Sequence, residues 1–356
     1  MKKKIAFFAA NLDMGGIERA IINFVNMIDK SKYEVTLFLE KKEGMYLHEV
    51  EKEVKIIDFN ISRNKNIILR KILNALKLLY FSIRYHNKFY FSANFATSIK
   101  SGAILAKRFS KNNAIWFHGE YWNTHEEAEK FLKYIRAERY KKVVFVSNKI
   151  KNDYVTERPN TNQKLYVLNN VINYDSIIEK SQQKIEILKT KKVLLNVGRH
   201  EEKAKTLTML LNCIKRLVEE SYDFELWMIG GGPDTKLYEE KIKEHGIEKY
   251  VKLLGTKDNV FPYYKMCDAV VLSSIREGNP VVYLESKIIN KPVISTDVSD
   301  AKIELKGYGI VTPYNEKKYY QGIKKFLDEG YKIKEKFNPE EFNKNNLEKL
   351  YNLIEE

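Results

Sequence analysis

Lys192-Val-Leu-Leu-Asn-Val-Gly-Arg199 is where the chain begins a second time. An apolar run of strand length closes on a glycine, and the run Lys4-Ile-Ala-Phe-Phe-Ala9 near residue 1 has the same build. Short runs rich in Val, Ile and Phe, separated by helical patterns, mark a parallel sheet covered on both faces. Before the restart, strand patterns cover residues 4–9, 33–40, 54–59, 114–118 and 143–147, and helical ones cover 16–28, about 67–85 and about 126–140. After it, strands are expected at 192–197, 224–229, 251–254, 269–272 and 292–295, with helices at 206–219, 235–245, 260–266 and 280–289. Two doubly wound α/β halves are the simplest account. The expected division is a first domain over 1–173, a polar linker over 174–191 and a second domain over 192–338. A charged amphipathic helix follows over 339–356, of the kind that crosses back onto the first domain in two-Rossmann proteins.

Composition narrows the class. With 356 residues, 44% of them hydrophobic and 31% charged, the chain has the make-up of an ordinary globular protein long enough for two cores. No run of about 18 apolar residues is present, so no membrane span is expected. Met1-Lys-Lys-Lys4 and the apolar residues 5–10 pass straight into Asn11-Leu-Asp-Met-Gly-Gly16 without a small-residue cleavage site, which favours a buried first strand over a signal peptide. Cys213 and Cys267 have neither zinc nor redox spacing and suit buried thiols in a reducing compartment.

The net charge of +15 is uneven: residues 1–175 hold +13 of it. Between Asp58 and Glu120 there is no acidic residue, against eleven basic ones from Arg63 to Lys111. Such a patch speaks of partners rather than fold, and nucleic acid, an anionic membrane surface or a phosphate-bearing acceptor all fit it.

Five motifs carry candidate chemistry. Gly15-Gly16 lies between the first strand and helix, where bare N–H groups attract phosphate. It is not a full G-x-G-x-x-G, Glu40 is the only acid placed for a ribose, and a plain tight turn explains the pair as well. Gly198-Arg199, followed by Lys205, ends the first strand of the second half, offering a planar fork and a point charge to a diphosphate. Solvated charges in a Glu- and Lys-rich loop are the alternative. Gly230-Gly-Gly-Pro233 serves equally as the turn into the next helix. Arg276-Glu-Gly-Asn-Pro-Val-Val-Tyr-Leu-Glu285 places Pro280 as the first helical residue, with Glu277 in the loop before it and Glu285 about a turn and a half inside. At 1.5 Å per residue the two carboxylates lie on the order of 12 Å apart, about the reach of a pyrophosphate with a sugar. N–H groups near Asn279–Val282 then face the phosphates, although an acidic helix start with a solvated Glu gives the same pattern. His118, in Trp116-Phe-His-Gly-Glu120, ends a strand where it can donate to a sugar hydroxyl or serve as a structural histidine.

In this order along nearly the whole chain, these motifs resemble the family-4 (group 1) glycosyltransferases. Further pieces of the match are Gly15-Gly-Ile-Glu-Arg19, Ser147, Asn169-Asn-Val-Ile172, Lys205-Thr-Leu207, Leu254-Gly255 and Pro292-Val-Ile-Ser-Thr-Asp297. The glutamates 277 and 285 with Gly-Arg…Lys at this separation are the specific element. The resemblance implies a GT-B fold, two Rossmann-like domains facing a cleft, with the donor bound mainly by the second. It implies that Arg199 and Lys205 neutralise the leaving nucleotide diphosphate, aided by backbone at Gly16 and at Gly278, Asn279, Pro280, Val281 and Val282. It gives Glu277 the donor sugar's hydroxyls, Glu285 the ribose and His118 the sugar from the acceptor side.

Retention of anomeric configuration is implied, with no metal and no cofactor; Arg, Lys and a helix start supply the roughly two charges a diphosphate needs, and no Asp-x-Asp motif occurs. Three departures stand out. Thr206 replaces the usual glycine, Ser286-Lys-Ile-Ile-Asn290 replaces small residues, and Val298-Ser-Asp-Ala-Lys302 replaces Gly-Gly-x-x-Glu. The expected activity is transfer from a UDP-sugar to a saccharide or lipid-linked saccharide acceptor in bacterial surface polysaccharide synthesis. The expected place is the cytoplasm, peripheral on the inner face of the membrane, with anionic lipid as a partner of the basic first domain. A UDP-sugar 2-epimerase shares the plan, and a basic nucleic-acid or nucleotide-binding regulator is the non-enzyme reading; no recognition motif supports nucleic acid.

Overall fold

A computed structural model describes residues 1–13, 15–96, 99–119 and 125–356, with the backbone alone at 125–128. The chain divides into two units, Met1–Ile172 with Glu340–Glu356 and Asn173–Pro339.

The first unit opens with β1 (Lys3–Ala9), α1 (Gly16–Met27), β2 (Tyr33–Leu39), β3 (Lys55–Asp58) and α2 (Ile67–Arg84). It continues through β4 (Phe91–Asn94), α3 (Lys100–Phe109), β5 (Asn113–Phe117), α4 (His125–Tyr134), β6 (Lys142–Phe145), α5 (Asn148–Glu157) and β7 (Lys164–Val167). All seven strands are parallel, in the order β3-β2-β1-β4-β5-β6-β7. The apolar runs become strands because helices cover both faces and leave no polar face to alternate with. The core is strongly aromatic: Phe8 stacks on Phe38 at 5.1 Å and meets Phe109 edge-on at the same separation. The helix expected over 126–140 is shorter, ending at Tyr134 before a turn that carries Arg136 in the left-handed region.

The second unit runs α6 (Tyr174–Ser181), β8 (Lys192–Val197), α7 (Glu202–Lys205), α8 (Leu207–Glu219), β9 (Phe224–Ile229), α9 (Thr235–His245), β10 (Val251–Gly255) and α10 (Phe261–Met266). Then come β11 (Ala269–Leu272), α11 (Val281–Ile288), β12 (Val293–Thr296), α12 (Ala301–Glu304), β13 (Gly309–Thr312) and α13 (Glu316–Glu329). Its parallel sheet has the order β10-β9-β8-β11-β12-β13. Alternate strand residues feed two cores, Leu194, Leu226, Met228 and Val271 on one face and Val193, Leu195, Trp227 and Val270 on the other. Both thiols are buried in these cores, and burial pushes Cys213 and Cys267 up to about 12.

One expected boundary needs correction. Residues 174–191 are not a bare linker: Asn173 caps α6, whose Ile177 is buried, and Lys180 and Gln183 receive the side-chain amide of Asn259. The polar composition belongs to the outer face of a helix, and composition averages that face with the inner one.

The closing helix, α14 (Pro339–Glu355), completes the first unit. Asn343 exchanges hydrogen bonds with both backbone groups of Ile172, at 3.0 and 2.7 Å. At its far end the buried Lys142 donates to the Leu353 carbonyl and Asn112 to that of Ile354, capping groups the helix itself leaves bare. Tyr351 stacks on Tyr33 at 5.6 Å.

Candidate functional site

In each sheet the strand order reverses beside the first strand, between β1 and β4 and between β8 and β11. Open α/β sheets bind ligands outside the carboxyl ends of strands at such a point. In the second unit that place holds an ion pair. Lys205 reaches over Gly198, its Cε lying 3.8 Å from where a Cβ on that glycine would stand, and its ammonium meets Glu277 Oε1 at 2.5 Å. Ser274 Oγ donates to the same oxygen at 2.7 Å. Among the described residues the other oxygen, Oε2, has no such bond. Glu277 is thus fixed through one oxygen, with its other oxygen left to accept from something else.

The loops carrying this pair are zipped together. Ile275 N–H donates to the Ala204 carbonyl at 2.9 Å, Ser273 Oγ to that of Lys205 at 2.8 Å, and Thr206 Oγ1 to that of Ser273 at 2.5 Å. Thr206 stands at φ 43°, ψ 48°, so it precedes α8 instead of opening it. That conformation costs a side-chain-bearing residue about 1–2 kcal/mol, which explains a glycine as the usual occupant; here the hydroxyl bond offsets about 1 kcal/mol of it.

The Gly230–Gly232 run is explained by backbone contact. A Cβ at Gly230, whose φ is +141°, would stand 1.9 Å from the Gly198 carbonyl oxygen, and one at Gly232 would stand 2.4 Å from that of His200. These glycines let the turn after β9 lie directly on the loop that presents Arg199. Arg199 itself is exposed, with Nη2 on Glu201 at 2.5 Å.

Pro280 is the residue before α11 rather than its first, since the helix begins at Val281. Proline's fixed φ suits either place, and the turn is closed by Tyr283 N–H on the Pro280 carbonyl at 3.0 Å. The N–H groups of Val281 and Val282 have no acceptor within the helix. Beside them the buried Oδ1 of Asn279 lacks a donor among the described residues, a deficit of the kind a ligand hydroxyl or water makes good. Glu285 lies on α11, and the buried Tyr264 hydroxyl donates to its Oε2 at 2.6 Å.

Two departures from the family pattern find their places. Lys287 is buried against Glu304 at 2.9 Å, with Ser286 Oγ on the Val282 carbonyl at 2.7 Å, so both serve the packing of α11. Ser299, at φ 53°, donates to the Gly278 carbonyl and ties the segment after β12 to the Glu277 loop.

Gly16 and His118 belong to the first unit. Gly16 is the exposed first residue of α1, behind Gly15. Glu40, the acid considered for a ribose, accepts from Ser101 Oγ, and burial raises its carboxyl above the usual range. His118 is buried, and burial lowers its pKa to about 4. Its Nε2 lies 2.7 Å from the Phe95 carbonyl, which can only accept, so the one N–H of the neutral ring is spent there. Donation from His118 to a sugar hydroxyl is therefore corrected: the neutral ring has Nδ1 left, an acceptor.

Lys205 and Glu277 are in direct contact, and Gly278–Val282 continue from them; Arg199 and Glu285 are held by other partners. Sequence reasoning missed Ser274, Tyr264 and Ser299, and only Ser299 left a trace, as a departure from a glycine.

Residues 177–344 match the family model described as "Glycosyl transferases group 1". An uncharacterized glycosyltransferase of Methanocaldococcus jannaschii is 31% identical over 147 residues, 40% of this chain and 36% of that protein. An N-acetylgalactosamine-N,N'-diacetylbacillosaminyl-diphospho-undecaprenol 4-alpha-N-acetylgalactosaminyltransferase of Campylobacter jejuni is 30% identical over 191 residues, 51% of each chain. The chain thus spans about half or less of these curated relatives' length. Among solved structures, HepE of Anabaena in complex with UDP and glucose superposes with a TM-score of 0.74 at 15% identity, over 98% of this chain and 99% of that one. That likeness is one of fold.

Proposed function

We propose that this chain, whose residues 177–344 match the group 1 glycosyltransferase model and whose fold is GT-B, moves a sugar, with retention, from a UDP-sugar to a saccharide acceptor carried on a lipid diphosphate. The observation that carries the reading is the Lys205–Glu277 pair at the β8/β11 switch point, with Oε2 of Glu277 open and α11 starting beside it. In the reaction the bond between the anomeric carbon and the diphosphate breaks with its electrons on phosphate, the acceptor hydroxyl oxygen bonds to that carbon, and the hydroxyl proton leaves with the departing diphosphate. Lys205 exchanges Glu277 for the diphosphate. Arg199 adds its fork, and the Val281 and Val282 N–H groups add the positive end of α11. Released from the lysine, Glu277 accepts from hydroxyls of the donor sugar while Ser274 keeps it oriented. Glu285, steadied by Tyr264, takes the ribose. Within the first unit, Gly16 offers backbone N–H to phosphate and His118 offers Nδ1 to a hydroxyl.

UDP is supported by the HepE complex, and the lipid diphosphate by the undecaprenol-linked substrate in the Campylobacter relative's name. Charge compensation by Arg199, Lys205 and α11 makes transfer independent of divalent metal, so chelation with EDTA leaves the rate unchanged. The test is a screen of UDP-, GDP- and ADP-sugars for hydrolysis and for transfer to undecaprenyl-diphosphate saccharides, with Glu277→Ala alongside. Turnover of a UDP-sugar, lost in Glu277→Ala, supports the reading. No turnover of any donor, or acceptor-free conversion to the 2-epimer, overturns it.

A further inference from the structure

Helix α2 has an apolar face that nothing among the described residues covers. Eighteen residues long, it contains no buried residue. It is held to the first unit along one side only, where Leu78, Phe81 and Tyr85 pack on the core and Asn74 Oδ1 accepts from Ser62 N–H at 2.7 Å. At roughly 100° per residue, Ile68, Leu69, Ile72, Leu76, Leu79, Tyr80 and Ile83 fall into one stripe about 120° wide on the opposite side. All seven are exposed, Ile68 by 72% and Ile83 by 69%. Water gains nothing from such a stripe, and a contiguous apolar face on a soluble protein marks a contact surface.

The charges say what the contact is. Arg70, Lys77 and Arg84 follow one another along one border of the stripe, Lys71 lies toward the other, and Arg63 and Lys65 precede the helix. The helix holds no acid, nor does the chain from Phe59 to Gly119. Facing a second copy of itself, the stripe would bring two cationic borders together, so self-association is opposed by charge. Its length and four charges leave it short of a membrane span, as no helix among the described residues is long and apolar enough to cross one. An amphipathic helix with a cationic border and a broad aliphatic face lies in the plane of an anionic bilayer, its apolar side among the acyl chains and its cations at the phosphates.

We propose that α2 is a membrane-docking element: it inserts the Ile68–Ile83 stripe into an anionic lipid surface, with Arg70, Lys71, Lys77 and Arg84 at the headgroup level. This stands apart from the transferase reading, since it concerns a face of the first unit and a lipid rather than the donor site.

The test is flotation of the full chain with phosphatidylcholine vesicles, with and without phosphatidylglycerol, beside Leu76→Glu/Ile83→Glu and Arg70→Gln/Lys71→Gln/Arg84→Gln. All of these positions lie on the exposed helix, and an unchanged thermal midpoint confirms that the variants fold. The wild type floats with the anionic vesicles only. The apolar variant binds at least about tenfold more weakly, and the charge variant roughly a hundredfold more weakly, at about fivefold per cation. Tyr80→Trp emission shifts to the blue on those vesicles, which separates insertion from adsorption. Three results would overturn the proposal: no flotation of the wild type, flotation unaffected by Leu76→Glu/Ile83→Glu, or a wild-type dimer in light scattering that this variant splits, which gives the face to a second copy. Donor hydrolysis in free solution persists in every α2 variant, so failure here and failure of the transferase reading are told apart.

Discussion

The two sheets share one strand order around their switch points and furnish them in opposite ways. At β8/β11 the second unit sets a half-buried ion pair, two serines and a helix start around one carboxylate oxygen left to accept. At β1/β4 the first unit sets Phe95, the neutral His118 and the buried Asn94, which spends its amide on the Ala96 carbonyl at 2.7 Å. Topology places a switch point in both sheets; the side chains beside it are charged in the second unit and neutral in the first. Charge at the switch point also runs against charge in the whole unit. The first unit carries most of the basic excess, and α2 displays four cations of it, Arg70, Lys71, Lys77 and Arg84.

That contrast can be broken most forcefully at Lys205. On the proposed function Lys205 is the charge assigned to the diphosphate, so in Lys205→Met transfer should fall by roughly 10²–10³, the usual cost of losing one preorganised charge partner in the transition state. A rate close to wild type in a donor-consumption assay would show that the second switch point is not where the donor is activated. The next effect belongs to the first unit and to pH. His118 has its folded pKa lowered to about 4, so between that value and the unfolded one the unfolded chain binds the extra proton. Its neutral ring therefore contributes stability that is whole above the unfolded pKa and is lost as pH falls toward the folded one. Urea unfolding of wild type against His118→Gln should show the difference shrinking by about 2 kcal/mol between neutral and acid pH. A difference that stays flat would mean the ring is not held neutral. The smallest effect is at Thr206. Replacement by glycine relieves the left-handed strain and loses the bond to Ser273, leaving stability within about 1 kcal/mol of wild type. Thr206→Val keeps the strain without the hydroxyl and should lower stability by about 1–2 kcal/mol in the same urea titration.

The pattern of these sites also shows what a sequence can disclose. Fold was legible wherever a strand is buried on both faces, because such a strand is a continuous apolar run, as at Lys3–Ala9 or Phe224–Ile229. It was illegible at β4, where Phe91-Ser-Ala-Asn94 carries polar side chains into a buried strand, and at β13, where glycine opens four residues. Burial there is a decision of neighbouring strands rather than of the residues themselves. The candidate site divides likewise. Glu277, Lys205 and Glu285 sit in motifs with fixed spacing and could be read. Tyr264, which orients Glu285 from 21 residues away, and Ser273, which holds Thr206 from 67, act through contacts that only the folded chain brings about.

Helix α14 ties the end of this sequence to its beginning. Its residues come off the ribosome after every residue of the second unit, yet Asn343 satisfies Ile172 and Lys142 needs the carbonyl of Leu353. The unit that is synthesised first is therefore finished last. During synthesis the second sheet can close while the first still shows the apolar bed that Leu350, Leu353 and Ile354 will cover. That order leaves this apolar bed of the aromatic-rich unit exposed until the last residues are made.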